Sequence, residues 1–182
     1  TSTAAGAQVA SGPAYAAWTE FPQGTHPHTG KHDEDGDGLD DKHPKWRNPI
    51  VESQIRFARS LDCGRTWSKP EVLSSKRTNQ AAAIAIDPRN GNVYVAWRQF
   101  ASKNFKDAIM LTVSTNGGTH FTAVRELEAI LPFDQGTTGT SFRTNSYPAL
   151  AIDKDGRLYV AWSARGFSPS APDPVQGDAR VV

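Results

Sequence analysis

An acidic loop in the first third of the chain carries the side chains that a hard metal ion needs. Its sequence is D-E-D-G-D-G-L-D-D over residues 33–41. Carboxylates at its first, third, fifth and ninth positions, with a glycine at the sixth for a sharp turn, match the way a protein loop wraps oxygen ligands around Ca²⁺. The predicted calcium ligands are Asp33, Asp35, Asp37, Asp41 and the main-chain carbonyl of Leu39.

The spelling of this loop resembles the calcium loops of thrombospondin type 3 repeats and dockerins. An EF-hand would place a bidentate glutamate at the twelfth position, where this chain has Pro44, so a helix–loop–helix hand is not expected. A solvated acidic loop is the alternative, but clustered carboxylates without a cation repel one another, which favours calcium. A site of low affinity would suit extracellular calcium concentrations and predicts a protein outside the cytoplasm.

Histidines flank the acidic loop and offer a second metal chemistry. The four are His26, His28, His32 and His43. Imidazole nitrogens are ligands for zinc and other transition metals, but this spacing matches no zinc motif. Polar surface is the favoured interpretation, and His32 or His43 as neighbours of the calcium loop stay open.

A repeated Arg-Thr-Asn triplet offers anion-binding chemistry. It begins at Arg77 and again at Arg143, each time just before an apolar run. Two guanidinium groups at one mouth would form a site for a carboxylate or a sulfate. The predicted ligand-binding residues are Arg77, Asn79, Arg143 and Asn145. The alternative is that these residues tie a loop to neighbouring strands.

Two copies of a short turn motif lie at residues 60–67 and 114–121, each reading S-x-[D/N]-x-G-x-x-aromatic. The serine and the Asp or Asn side chain can accept hydrogen bonds from nearby backbone N–H groups, and the glycine supplies a positive φ. The aromatic residue should fold back over the turn. We therefore expect Trp67 and Phe121 to be largely buried against their own hairpins.

This motif resembles the Asp-box, or bacterial neuraminidase repeat, of sialidase-like β-propellers. The resemblance implies a turn between the third and fourth strands of each blade. It also implies that the loops on the opposite face of the disc bind ligands. The Arg-Thr-Asn triplets and the acidic loop would share that opposite face.

A longer repeat covers residues 83–97 and 149–162, and a fainter copy covers 9–18. Each copy joins two short apolar runs through a Gly-containing turn, which predicts β-hairpins with tight turns at 87–92 and 153–157. Each copy ends on a Tyr-x-Ala-Trp strand. Because these aromatic residues recur at one place in the repeat, we expect them to fill the space between neighbouring blades rather than to bind a sugar.

The repeats predict an all-β fold, a β-propeller of four-stranded antiparallel blades, of which about two and a half are present. Blade 1 is expected over about residues 9–75 with a calcium-loop insertion at 22–49, blade 2 over about 78–130, and part of blade 3 over about 143–182. An open stack would leave unpaired edges. The remaining blades are therefore expected from the same polypeptide or from another chain.

Composition excludes some classes of partner. Lys and Arg number 20 against 19 Asp and Glu, a formal charge of +1 that gives no reason to expect nucleic acid as a partner. No apolar run approaches the roughly 18 residues of a membrane span. Anionic glycans or proteins stay possible partners for the arginine pair.

Two functions remain after these steps. The favoured one is a non-catalytic extracellular propeller module for binding or assembly, with a structural calcium loop. The alternative is a fragment of a sialidase-like glycoside hydrolase of the exo-sialidase type. That family uses three arginines, a tyrosine nucleophile assisted by a glutamate, and an aspartate acid/base. Its [F/Y]-R-I-P motif is absent here, since Phe142 and Arg143 are followed by Thr144 and Asn145, and whether the chain is an enzyme stays undecided.

Overall fold

The structure is a computed structural model that describes residues 12–21, 52–75, 77–102, 105–132, 145–165 and 177–181. These residues form strands and turns and contain no helix. The strands of the described part are β1 (Ala14–Glu20), β2 (Gln54–Ser60), β3 (Glu71–Val72), β4 (Asn79–Ile86), β5 (Val93–Gln99), β6 (Ala108–Ser114), β7 (Arg125–Ala129), β8 (Ala149–Ile152), β9 (Leu158–Arg165) and β10 (Gly177–Val181). The all-β prediction is confirmed for this part of the chain.

The strands form three antiparallel sheets. The first sheet has the order β1-β2-β3, the second β4-β5-β6-β7 and the third β8-β9-β10. Every pair of neighbouring strands is also consecutive in sequence, as hairpin connections require. The second sheet has the four antiparallel strands that the repeat predicted, and the described strands fall on the predicted apolar runs.

Strand β4 lies against both neighbouring sheets, in contact with β1 and with β8. Its ladder with β5 shifts register between Gln80 and Ala83. At this bulge Ala81 has a φ of 61°, and its N–H donates to the Thr19 hydroxyl of β1 at 3.1 Å. The bulge therefore joins the second sheet to the first at the point where their first described strands meet.

Two hydrophobic cores separate the three sheets. The core between the first and second sheets contains Ile55, Phe57, Leu73, Val93, Val95 and Trp97. The core next to the third sheet contains Ile109, Ile130, Val160, Trp162 and Ala164. Strand β5 is buried along most of its length because both faces of its sheet are covered. Each large apolar side chain buried in this way stabilises the fold by about 1.5–3 kcal/mol.

The Tyr-x-Ala-Trp strands place their aromatic residues between sheets, as predicted, in two of three copies. Trp97 and Trp162 are buried in the two cores. In the first copy Tyr15 stacks on Phe57 with ring centroids 6.0 Å apart, but Trp18 is 37% exposed. Packing between sheets is thus confirmed for Trp97 and Trp162 and is wrong for Trp18 among the described contacts.

Both predicted hairpin turns are present. In the first, the Gly91 N–H donates to the Asp87 carbonyl at 2.8 Å, and Gly91 has a φ of 73°. In the second, the Asp153 carboxylate accepts the N–H groups of Asp155 and Arg157 at 2.9 and 2.8 Å. The Arg157 N–H bond is the main cause that lowers the pKa of Asp153.

Arg89 joins these two turns across the second and third sheets. It forms an ion pair with Asp87 at 2.9 Å, which is the main reason that the pKa of Asp87 is lowered. Its Nη1 donates to the Asp155 carbonyl of the next turn. Gly156, with a φ of 79°, lies under the guanidinium, so a Cβ there would overlap Arg89. The tie therefore requires a residue without a side chain at position 156.

Gly156→Ala should destabilise the protein more than Gly91→Ala, its matched control. Both replacements put an L-residue at positive φ, which costs about 1–2 kcal/mol. Only Gly156→Ala also displaces the Arg89 guanidinium, at a further cost of about 1 kcal/mol for the lost hydrogen bond, since open space surrounds the Gly91 position. Urea denaturation measures both changes. In an Arg89→Ala background the two glycine variants should lose equal stability, and a persisting difference would contradict this tie.

Candidate functional site

The predicted site residues are only partly within the described part of the chain. Arg77, Asn79 and Asn145 are described. Lying outside the described residues are Arg143, the predicted calcium ligands Asp33, Asp35, Asp37, Leu39 and Asp41, and His26, His28, His32 and His43. Among the residues that are described, no group of three or more His, Cys, Asp or Glu is arranged to hold a metal ion. The calcium prediction stays a prediction.

Arg77 lies at the edge of the sheets where β1 and β5 end and β4 and β8 begin, which we call the loop edge. Its guanidinium carbon stands 2.9 Å above the ring centroid of Phe105, in the connection between β5 and β6. Its Nη1 donates to Gln99 Oε1 at 3.4 Å. A cation over an aromatic face is attracted by the ring quadrupole. Arg77 is thus held by a ring and a neutral amide.

Asn79, two residues later, is 1% exposed. Its Nδ2 lies within hydrogen-bond distance of the carbonyls of Ser53, Ser75 and Arg77, at 3.2, 3.1 and 2.9 Å. Its Oδ1 accepts from Trp97 Nε1 at 2.9 Å. A buried amide with all of these partners fixes the entry into β4. The ligand-binding role of Asn79 remains a prediction, while the contacts present are those of a structural tie.

The third sheet repeats the position of Trp97 with Trp162. Trp162 is 4% exposed, and its Nε1 has no acceptor among the described residues. Asn145 precedes β8 as Asn79 stands at the start of β4. The two sheets therefore share the residue types of the tie, and the Trp–Asn hydrogen bond is present in the second sheet.

Sequence reasoning missed a buried ion pair beside Arg77. Arg98 of β5 donates to Asp107 through both Nε and Nη2, at 2.9 and 2.6 Å, and both side chains are nearly buried. The guanidinium of Arg98 also stands 4.0 Å from the ring centroid of Phe100. A buried charge needs a partner, so this pair holds the two ends of the β5–β6 connection together. Opposite charges at both ends of one hairpin connection were the available signal.

A hydrogen bond along the loop edge joins the second and third sheets. The Tyr147 hydroxyl, just before β8, donates to Gln80 Oε1 at 2.8 Å. The sequence interpretation of Tyr147 favoured packing over catalysis. A neutral amide as its partner accords with that view, because Gln80 has no acid–base chemistry of the kind that activates a nucleophile.

The two S-x-[D/N]-x-G-x-x-aromatic turns, residues 60–67 and 114–121, lie at the opposite edge of the sheets. In the first, Ser60 Oγ accepts the Gly64 N–H at 2.8 Å and donates to Asp62 Oδ1 at 2.7 Å. In the second, Ser114 Oγ accepts the Gly118 N–H and donates to Asn116 Oδ1, both at 2.9 Å. The predicted side-chain-to-backbone hydrogen bonds are confirmed in both turns.

The aromatic residues of these turns depart from expectation. Phe121 packs edge-on against Phe57 of the preceding sheet, with ring centroids 4.7 Å apart. Trp67 donates from Nε1 to the Gly64 carbonyl at 3.1 Å but stays 47% exposed. The prediction that Trp67 is largely buried against its own hairpin is wrong. The second turn explains why, since its aromatic residue is covered by a preceding sheet and not by its own hairpin.

Comparison with known proteins leaves this geometry to speak for itself. No protein-family model matches the chain, and no curated protein matches it significantly. Across the ranges that the structure describes, no helix is long and apolar enough to span a membrane.

Asp62 makes the first turn sensitive to pH where the second is not. Hydrogen bonds from the Thr66 hydroxyl and N–H, and from Ser60, lower its pKa from 3.8 to about 2. A depressed pKa stabilises the fold above pH 3.8, and that contribution is lost as the pH falls towards 2. Asn116, the equivalent residue, cannot titrate and accepts the N–H groups of Thr119 and His120 at 3.2 and 2.9 Å.

Asp62→Asn should therefore destabilise the protein at neutral pH, and its deficit should shrink to nothing near pH 2. Asn116→Asp is the reciprocal variant and should introduce a new acid-dependent loss of stability over the same interval. Denaturation midpoints measured from pH 2 to 7 give both curves, with the wild type accounting for all other carboxylates. Parallel profiles for the wild type and Asp62→Asn would contradict the assigned role of the carboxylate.

Proposed function

We propose that this chain is part of an extracellular Asp-box β-propeller, a non-catalytic module that binds an anionic ligand at its loop edge and carries a structural calcium loop. The arrangement of the sheets supports the propeller. Three consecutive antiparallel sheets pack face to face, and β4 contacts β1 and β8. Radial packing of consecutive sheets around inner strands is the architecture of a propeller. The two hydrogen-bonded turns at the opposite edge support the Asp-box resemblance.

The charge environment of Arg77 is the observation that carries the binding proposal. Elsewhere in the described part of the chain, arginines pair with carboxylates, as Arg56 does with Glu20 and Arg98 with Asp107. Arg77 has no carboxylate partner among the described residues; Phe105 and Gln99 hold it instead. A guanidinium that is positioned but not neutralised is suited to an anionic ligand. Arg143 of the second triplet is proposed as its companion.

The acidic loop belongs to the connection between β1, which ends at Glu20, and β2, which begins at Gln54. That connection leaves and returns at the loop edge, the edge that carries Arg77. Long loops on a rigid scaffold are where binding commonly resides. We propose that calcium bound by residues 33–41 gives this long connection a fixed shape beside the arginine pair.

The hydrolase alternative draws no support from the described residues. Tyr147, the tyrosine that follows Arg143 most closely, donates its hydroxyl to the neutral amide of Gln80. A tyrosine nucleophile would need an assisting carboxylate. The module is therefore the better-supported function.

Calcium binding is tested by removing two predicted ligands. The intact chain should bind calcium with a dissociation constant of roughly 0.1–1 mM, the range of extracellular modules. Asp35→Ala with Asp37→Ala should abolish the calcium-dependent heat in calorimetry. The matched control, Glu34→Gln with Asp40→Asn, removes two charges of the same loop from positions not predicted to bind, and should retain calcium. An intact chain that gives no heat, or a control that loses it equally, would reduce the loop to an acidic surface.

The ligand site is tested by removing both predicted arginines. Arg77→Ala with Arg143→Ala should weaken binding to immobilised sialylated or sulfated oligosaccharides roughly tenfold or more, because each charged hydrogen bond contributes about 1.5–3 kcal/mol. The melting temperature should stay nearly unchanged.

The control variant is Asn79→Ala, which removes the buried tie. It should lower the free energy of unfolding by about 1–3 kcal/mol and leave the affinity per folded molecule unaltered. If the arginine variant instead unfolds, with unchanged binding per folded molecule, the two arginines are structural ties and the proposed site is wrong.

A further inference from the structure

One face of the first sheet leaves large apolar side chains in solvent. Trp18 of β1 pairs with Arg56 of β2, which pairs with Val72 of β3, so the three side chains lie in one row on one face. Trp18 is 37% exposed and Val72 39% exposed. Phe57, the next residue along β2, points to the opposite face and into the core shared with the second sheet. We call the Trp18 face, together with Trp67, the outer face of the first sheet.

The same face is covered in the other two sheets. Trp97 holds the position of Trp18 in the second sheet and is 1% exposed, packed against the first sheet. Trp162 holds it in the third sheet and is 4% exposed, packed beside Ile109 of the second. Each sheet thus buries this face against the sheet before it. The outer face of the first sheet has the residue types of an interface and lacks the neighbour that the repeat supplies elsewhere.

The contact between the first and second sheets identifies what such a neighbour presents. Phe57 and Tyr15 of the first sheet receive the second turn, where a Cβ on Gly118 would lie 2.8 Å from Phe57 Cζ. Arg59 Nη1 donates to the Gly117 carbonyl at 3.1 Å and to Thr119 Oγ1 at 2.6 Å. The receiving face therefore consists of a stacked aromatic pair and a donor for the backbone of a glycine turn.

The third sheet repeats this receiving face at the other end of the described structure. Tyr159 holds the position of Tyr15 and is 40% exposed. Residue Val181 pairs with Ala161 in the register in which Phe57 pairs with Ala17. One chain thus carries both halves of the contact, an outer face on its first sheet and a receiving face on its third.

We propose that a second copy of this chain covers the outer face of the first sheet with the receiving face of its own third sheet, repeating the internal contact between molecules. Such a head-to-tail interface closes into a ring or grows into a filament, depending on the rotation between copies. The inference rests on the stacking of sheets in the proposed function and is independent of its calcium and glycan claims. A sheet-to-sheet contact of about 800 Å² per partner suffices for a stable interface.

Sedimentation velocity and light scattering of the full chain, over a concentration series, test this proposal. The wild type should assemble as concentration rises. Trp18→Glu, in which the new carboxylate lies beside Arg56, should weaken association at least tenfold without lowering the melting temperature. Tyr159→Gln at the other end should have the same effect. Leu131→Glu, a control at an exposed apolar residue after β7 (54% exposed), should assemble as the wild type does.

Mixing the two interface variants provides the decisive arm. Each retains one intact end, so an equimolar mixture of Trp18→Glu and Tyr159→Gln should form dimers that grow no further. A wild type that stays monomeric at every concentration would overturn the proposal and leave the glycan-binding test unaffected. Assembly that persists in both variants would overturn it as well, because the contact would then lie elsewhere.

Discussion

The arrangement of the sheets depends on a close approach between the second turn and the first sheet. Gly118 and Phe57 are so near that any side chain at position 118 would force the buried ring to move. Phe121 seals the contact by packing edge-on against the same ring, and Arg59 fastens the turn by two hydrogen bonds. Because the core beneath contains Trp97, Val93 and Val95 of β5, this approach fixes how the second sheet sits on the first.

Rigid stacking at one edge allows specialised chemistry at the other. At the loop edge, Asn79 secures the entry into β4 and the ion pair of Arg98 and Asp107 closes the β5–β6 connection. Between these fixed points Arg77 rests on Phe105, without a carboxylate partner among the described residues. A cation held in one orientation loses little conformational entropy when an anion binds, which is the physical reason for assigning the ligand to this edge.

Local patterns predicted the elements, and contacts between sheets escaped prediction. Alternating apolar runs and glycine turns located the strands, and the hydrogen bonds of Asp62 and Asn116 follow from side chains a few residues away. The exposure of Trp67 was predicted wrongly because its partner would come from another sheet. The link from Arg89 to Asp155 likewise joins residues far apart in sequence. Arg77 could be identified from its repeated triplet, but its seat on Phe105 depends on how a loop returns to the sheet.

The most direct test of this account is the coupling between Gly118 and Phe57. Gly118→Ala should destabilise the protein by at least about 1–3 kcal/mol more than Gly117→Ala, since both residues have positive φ and only position 118 faces the buried ring. In a Phe57→Leu background that excess should largely disappear, giving a double-mutant coupling free energy of about 1 kcal/mol or more. Equal costs for the two alanine variants, or an excess unchanged by Phe57→Leu, would contradict the claim that this contact sets the stacking of the sheets.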